Sequence, residues 1–127
     1  MSYYFAKTLD APFQQTVERT VAALKDHGFG VLTKIDVQGT LKEKIGADFR
    51  PYVILGACNP RMAHQALQAE DKIGTMLPCN VVVQEVGGKT EVAAVDPVAS
   101  MQAVENDKLA AVANKVRDEL KSVILSL

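Results

Sequence analysis

Residues 80–95 read NVVVQEVGGKTEVAAV, two β-branched runs on either side of Gly87-Gly88. Such runs suit a pleated, half-buried surface. A glycine pair between them signals a hairpin, because the favoured two-residue turn needs positive φ at both positions. A hairpin sets its strands antiparallel, so a sheet containing this segment is not purely parallel.

Reading outward toward the C-terminus, Asp96-Pro97 pairs a capping side chain with a proline suited to the first helical turn, and predicts a short turn of helix through Val104. Asn106 can cap a last helix. There Leu109, Val112, Ala113, Val116, Leu120, Val123, Ile124 and Leu127 recur at helical spacing.

Toward the N-terminus, Tyr52 to Cys58 (YVILGAC) reads as a central apolar strand, with Pro51 holding Arg50 extended. Asn59-Pro60 repeats the cap-and-proline start, for a helix from Pro60 to about Glu70 that buries Ala63, Ala66 and Leu67 and is followed by Gly74. Phe29 to Val37 is a strand. Thr40-Leu41-Lys42-Glu43 has the form of a capping box opening a very short helix closed by Gly46. Ser2 to Leu9 is an aromatic-rich strand. Asp10 then stands as N-cap, with Pro12 in the first turn of a helix from about Ala11 to His27. Its stripe is Phe13, Val17, Val21 and Leu24, and Gly28 ends it.

The order β-α-β-(α)-β-α-β-β-α predicts an α+β fold in two layers, a largely antiparallel sheet with the long first and last helices packed on one face. The other face is left exposed or used in self-association. At 127 residues, with no linker-like or low-complexity segment, residues 1–127 are expected to form a single domain.

Charge excludes some functions. Fourteen Lys and Arg against 15 Asp and Glu leave a net charge of -1, without the basic footprint of a nucleic-acid binder. No apolar run approaches the ~20 residues of a membrane span, and the N-terminus reads as mature protein rather than a signal peptide. A cytoplasmic protein is expected, with its two cysteines reduced. Walker A, GxGxxG, HExxH, GxSxG and CxxC patterns are absent. No cofactor is expected.

The only cysteines, Cys58 and Cys79, each precede an asparagine and stand beside a proline, in ILGACNP (54–60) and LPCNVVV (77–83). If Asn59 caps a helix, the Cys58 thiol lies just before the positive end of its dipole, which favours thiolate. The structural alternative is a small apolar side chain under a strand end. Capping explains Asn59. Asn80 has no such explanation beyond local hydrogen bonding at a strand start. His64 falls on the solvent face of its helix and is a weak metal candidate with Cys58 and Cys79. His27 suits a helix C-terminus. Two cysteines and one histidine fall short of the four ligands of a structural zinc site.

GFGVLTKIDVQGTLKEKIG (28–46), ILGACNP, LPCNVVV and VDP (95–97), in this order, resemble the bacterial and archaeal domain-of-unknown-function family 302, from about Thr16 to the C-terminus. The resemblance implies a single-copy version of the fold in each half of the TATA-binding protein, without DNA binding, and a homodimer. It places the family signature on Asp36, Lys42, Lys44, Cys58, Asn59, Pro60, Leu77, Pro78, Cys79, Asn80, Asp96 and Pro97. Asp36, Lys42 and Lys44 are thereby candidates for an anion or carboxylate pocket, against the alternative of ordinary charged surface. It also favours antiparallel neighbours for the strands carrying the two motifs, which brings the thiols toward each other.

Three functions follow as expectations. The first is a dimeric small-ligand-binding domain without established catalysis, its pocket lined by the ACNP and LPCN segments. The second is a thiol redox or soft-metal protein using Cys58 and Cys79. The third is a structural or interaction module.

Overall fold

The computed structural model describes residues 2–127. Strands β1 (Tyr4–Leu9), β2 (Gly30–Asp36), β3 (Tyr52–Cys58), β4 (Cys79–Val86) and β5 (Lys89–Val95) form one sheet in the order β1-β5-β4-β3-β2. Every neighbouring pair is antiparallel. Helices α1 (Phe13–Asp26), α2 (Val37–Ile45), α3 (Pro60–Ala69), α4 (Pro97–Ser100) and α5 (Asp107–Ser126) connect them, with a 3₁₀ turn at Asp71–Met76. The β4–β5 hairpin turns at Gly87 and Gly88, with φ of 58° and 80°.

Alternation along the strands divides the sheet into two faces. On the inner face Val53, Leu55 and Ala57 of β3, Cys79, Val81 and Val83 of β4, and Val92 and Ala94 of β5 are buried. They pack with Val17 and Leu24 of α1, Ala66 of α3, and the full α5 stripe from Leu109 to Ile124. The two-layer α+β arrangement is therefore as expected, with α1 and α5 against the sheet and α3 packed beside α5. On the outer face, the strand register sets Ile35, Ile54, Val82, Ala93 and Ala6 in one apolar row.

Several local expectations are corrected. Asp10 does not cap α1. The ladder opens with Thr16 N–H donating to the Pro12 carbonyl at 3.0 Å, and Asp10 lies two residues before that cap position. Thr40 does not open α2. Asp36 does, its Oδ1 accepting from the Gly39 N–H at 3.0 Å. Gly39 makes room for this cap, since a Cβ there would stand 2.6 Å from Asp36 Oδ2. Val21 and Leu67 are exposed, at 36% and 44%. In α1 the core-facing places go to Thr16 and Thr20, fully buried. Their hydroxyls donate to the carbonyls of Pro12 at 2.9 Å and Thr16 at 2.7 Å, so each threonine offers its methyl to the core without an unpaired polar atom. The helix after Asp96 stops at Ser100 rather than reaching Val104, and Gly74 lies within the 3₁₀ turn.

Long-range polar contacts close the edges. Lys7 donates through Nζ to the carbonyls of Leu125 and Leu127, joining β1 to the C-terminus of α5, where a cation suits the helix dipole. His27, just past α1, lies 3.2 Å from Glu119 of α5.

Gly56 is the most closely approached glycine of the chain. A Cβ there would stand 2.1 Å from Thr33 Oγ1 and 2.8 Å from Pro78 Cγ. Replacing Gly56 by Ala is expected to cost roughly 1–3 kcal/mol, the usual range for overpacking. Thr33→Ala in the same chain should recover only part, because the Pro78 contact persists. Urea unfolding checks this, and a loss under about 0.5 kcal/mol for Gly56→Ala would contradict it.

Candidate functional site

The two Cys-Asn segments meet at one end of the β3–β4 pair. Ala57 is registered with Cys79 and Gly56 with Asn80. The loop entering β4 contains a cis Leu77-Pro78 peptide bond, which the sequence does not announce. Cys79 follows at the first position of the strand, 7% exposed in the core. Cys58 is the last residue of β3 and half-buried, and both thiols are free.

Register decides what the thiols can do together. Cys58 lies one residue beyond the Ala57–Cys79 pair, so the two cysteines are diagonal neighbours rather than directly opposed. The two thiols are unbridged. Burial pushes the Cys79 thiol up to about 11, and the neighbouring Cys58 charge adds to the effect. Burial also raises Cys58. Desolvation works against the thiolate at both positions, most strongly at Cys79.

Both cysteines line an apolar crevice under the α3 and α5 helices, with Met62, Met101, Phe29 and Val116 among its walls. Its volume is about 30 Å³, room for roughly one water molecule and too small for an organic ligand.

The asparagines separate clearly. Asn59 Oδ1 accepts from the Met62 N–H at 3.2 Å, as the capping expectation requires. Its Nδ2 lies against Gly28, where a Cβ would stand 3.3 Å away. Asn59 thus ties the start of α3 to the turn after α1. Asn80 is exposed on the outer face, and among the described residues no hydrogen bond of its side chain is seen.

Asn80 sits between two concavities. One, about 440 Å³, spreads over the outer face and is lined by Tyr3, Tyr4, Tyr52, Gln84 and Glu91 as well as Asn80. The other, about 270 Å³, is bounded by Thr75, Leu77, Pro78, Val95 and Ser100. The floor of the first carries an ordered polar chain. Arg50 Nε donates to Gln84 Oε1 at 2.8 Å, and Gln84 Nε2 donates to Glu91 Oε1 at 3.1 Å. The Arg50 guanidinium also lies 4.4 Å from the Phe49 ring centroid and 5.6 Å from that of Tyr52. Motif reading missed Tyr3, Tyr4, Tyr52, Gln84 and Glu91. Their signal is strand alternation, which assigns the β1, β3, β4 and β5 members of this set to the face opposite the valines.

Asp36, Lys42 and Lys44 are not part of this site. Asp36 pairs with Val53, six residues along β2 from the Gly30–Cys58 pair, roughly 20 Å away at ~3.3 Å per residue. Its carboxylate caps α2. Lys42 pairs with Asp48 at 2.9 Å in full solvent, a contact worth little. His64 is exposed on α3. Among the described residues, no group of three or more His, Cys, Asp or Glu is placed to hold a metal ion. Among the described residues, no helix is long and apolar enough to cross a membrane.

The family model described as "Domain of unknown function DUF302" matches residues 5–127. Among solved structures the chain is similar to the "crystal structure of uncharacterized conserved protein DUF302 from Bacillus stearothermophilus". The two share 30% identity with a TM-score of 0.91, over 98% of this chain and 97% of that one. No curated protein matches the chain.

The thiols make a measurable distinction. In the native protein at neutral pH a thiol reagent should label Cys58 first, with Cys79 following only on unfolding, as peptide mass spectrometry would show. Equal rates would contradict the burial order. The raised value also sets a pH window. Burial favours the protonated Cys79 thiol, so its contribution to stability is intact below about pH 9 and is lost as pH rises toward about 11. Replacing Cys79 with Ala should flatten the fall in urea midpoint across that interval.

Proposed function

The chain belongs to the family described as Domain of unknown function DUF302, and from its geometry we propose that it is a small-ligand-binding domain whose ligand docks on the outer face of the sheet beside Asn80. The observation that carries this reading is Asn80 itself, a solvent-facing amide between two concavities with no hydrogen bond to its side chain among the described residues. Ligand sites of a few hundred cubic ångströms combine apolar walls with a few placed polar groups. Here Tyr3, Tyr4 and Tyr52 supply flat walls, the Asn80 amide offers both a donor and an acceptor, and Glu91 offers an acceptor. A flat molecule carrying donor and acceptor groups fits that set. The reading keeps the LPCN segment at the ligand and gives the ACNP segment a supporting role.

The proposal includes a homodimer formed through the same face. The row Ile35, Ile54, Val82, Ala93 and Ala6 runs across all five strands on the face opposite the buried valines, and Ile35 is 47% exposed. A second copy would cover this row and close the concavity over a bound ligand. Cytoplasmic residence belongs to the proposal too, since two unbridged cysteines suit a reducing compartment.

Fragment screening by ¹H–¹⁵N NMR tests the ligand site. Shifts should cluster on Tyr4, Tyr52, Asn80, Gln84 and Glu91. Replacing Asn80 by Leu should weaken binding by about 1 kcal/mol or more, the scale of a lost hydrogen bond. Shifts confined to other surfaces, or unchanged affinity in the variant, would overturn the reading. For the dimer, light scattering should give twice the chain mass for the native protein and the chain mass for Val82→Arg. A monomeric native protein at high concentration would remove this part.

A further inference from the structure

The chain has two cysteines and four methionines, and both cysteines and two of the methionines line one crevice. Cys79 and Met101 belong to the buried core, Met62 packs against it, and Cys58 is half-buried at the strand end. We propose that this crevice binds one monovalent soft cation, Cu(I), through the Cys79 thiolate and the Met62 and Met101 thioethers, with Cys58 as the thiol at its rim. The ligand reading for Asn80 uses the outer face; Cys79 also borders its smaller concavity, but the methionine donors lie only in the crevice.

Three features select that class of ligand. The first is donor type. Thiolate and thioether sulfur favour Cu(I), and no Asp, Glu or His lines the crevice to attract a hard or borderline divalent ion. The one polar side chain in the wall, Asn59, already accepts from the Met62 N–H. The second is size. A space of about 30 Å³ takes a single bare ion but no organic molecule, and it offers a water few hydrogen-bond partners. The third is charge. An isolated thiolate is costly in so apolar a place, and a divalent ion reaches neutrality only if the rim thiol Cys58 ionises as well. A monovalent ion on one thiolate is neutral overall.

The step balances simply. Cu(I) forms a bond to Cys79 Sγ, the S–H bond breaks, and one proton leaves to solvent. The two thioethers donate lone pairs without losing protons, and no oxidation state changes. Cys58, the more accessible thiol, meets the ion first and passes it inward. Burial holds the Cys79 proton well above neutral pH, so binding should tighten as pH rises.

The test uses the full-length reduced chain under anaerobic conditions, titrated with Cu(I) held as its bicinchoninate complex, and native mass spectrometry with Ag(I) as a second probe. The expected result is one ion per chain, proton release on binding, and no comparable binding of Zn(II). Met62→Leu combined with Met101→Leu keeps core volume and should weaken binding by roughly tenfold or more. Cys79→Ser should abolish it, and Cys58→Ser should mainly slow metal transfer. Asn80→Leu should leave Cu(I) affinity unchanged, so failure here is distinct from failure of the ligand reading. The proposal is overturned if the chain takes no Cu(I) from bicinchoninate, if the folded double methionine variant binds as tightly as the native protein, or if the stoichiometry is one ion shared by two chains through Cys58.

Discussion

The register of β3 against β4 is the constraint on which the rest depends. Setting Ala57 opposite Cys79 places Gly56 opposite Asn80, and the backbone at Gly56 has room for neither more nor less than Thr33 and Pro78 above it. A slip of one residue would exchange the faces of every side chain on a strand. Val81 and Val83 would leave the core, Asn80 would enter it, and Pro78 would lose the bare glycine it rests on. Hydrophobic burial on one face and steric closure on the other therefore specify the same alignment. The motifs around Cys58 and Cys79 are joined by that alignment rather than by any bond between their sulfurs.

This makes the two Cys-Asn pairs unlike each other despite their matching letters. Asn59 is consumed by the cap of α3 and by its contact with the turn at Gly28. Asn80 stands on the open face with its amide turned to solvent. The cysteines divide the other way, with Cys79 in the core and Cys58 at its margin. One end of one strand pair thus serves two surfaces of the molecule, an apolar sulfur-lined interior and an amide-bearing exterior.

Much of the fold was legible because strong local rules agreed with the tertiary result. The Gly87-Gly88 hairpin, the limits of β3, the caps at Asn59, Asp96 and Asn106, and the stripe of α5 all follow from chemistry within a few residues. The errors arose where competing local signals existed. Thr40 and Glu43 spell a capping box, but Asp36 reaches the Gly39 N–H one turn earlier. Val21 looks like a stripe member, but Thr16 and Thr20 satisfy their hydroxyls within α1 and take the core instead. The candidate site was legible only as motifs. Its outer walls come from strands distant in sequence, and the separation of Asp36, Lys42 and Lys44 from the cysteines follows from Asp36 ending β2, and α2 starting, at the end of the strand away from Gly30. Neither is encoded in spacing along the chain.

The pairing of β1 with β5 has a consequence for how the chain folds. Tyr4 sits opposite Val95, so the first strand finds its partner only after some ninety residues have followed it. The β4–β5 hairpin closes across two residues, whereas β1 needs a distant docking at the sheet edge, where Lys7 joins it to the last turn of α5. On a ribosome, β1 would emerge well before β5 and stand without its partner until that strand followed.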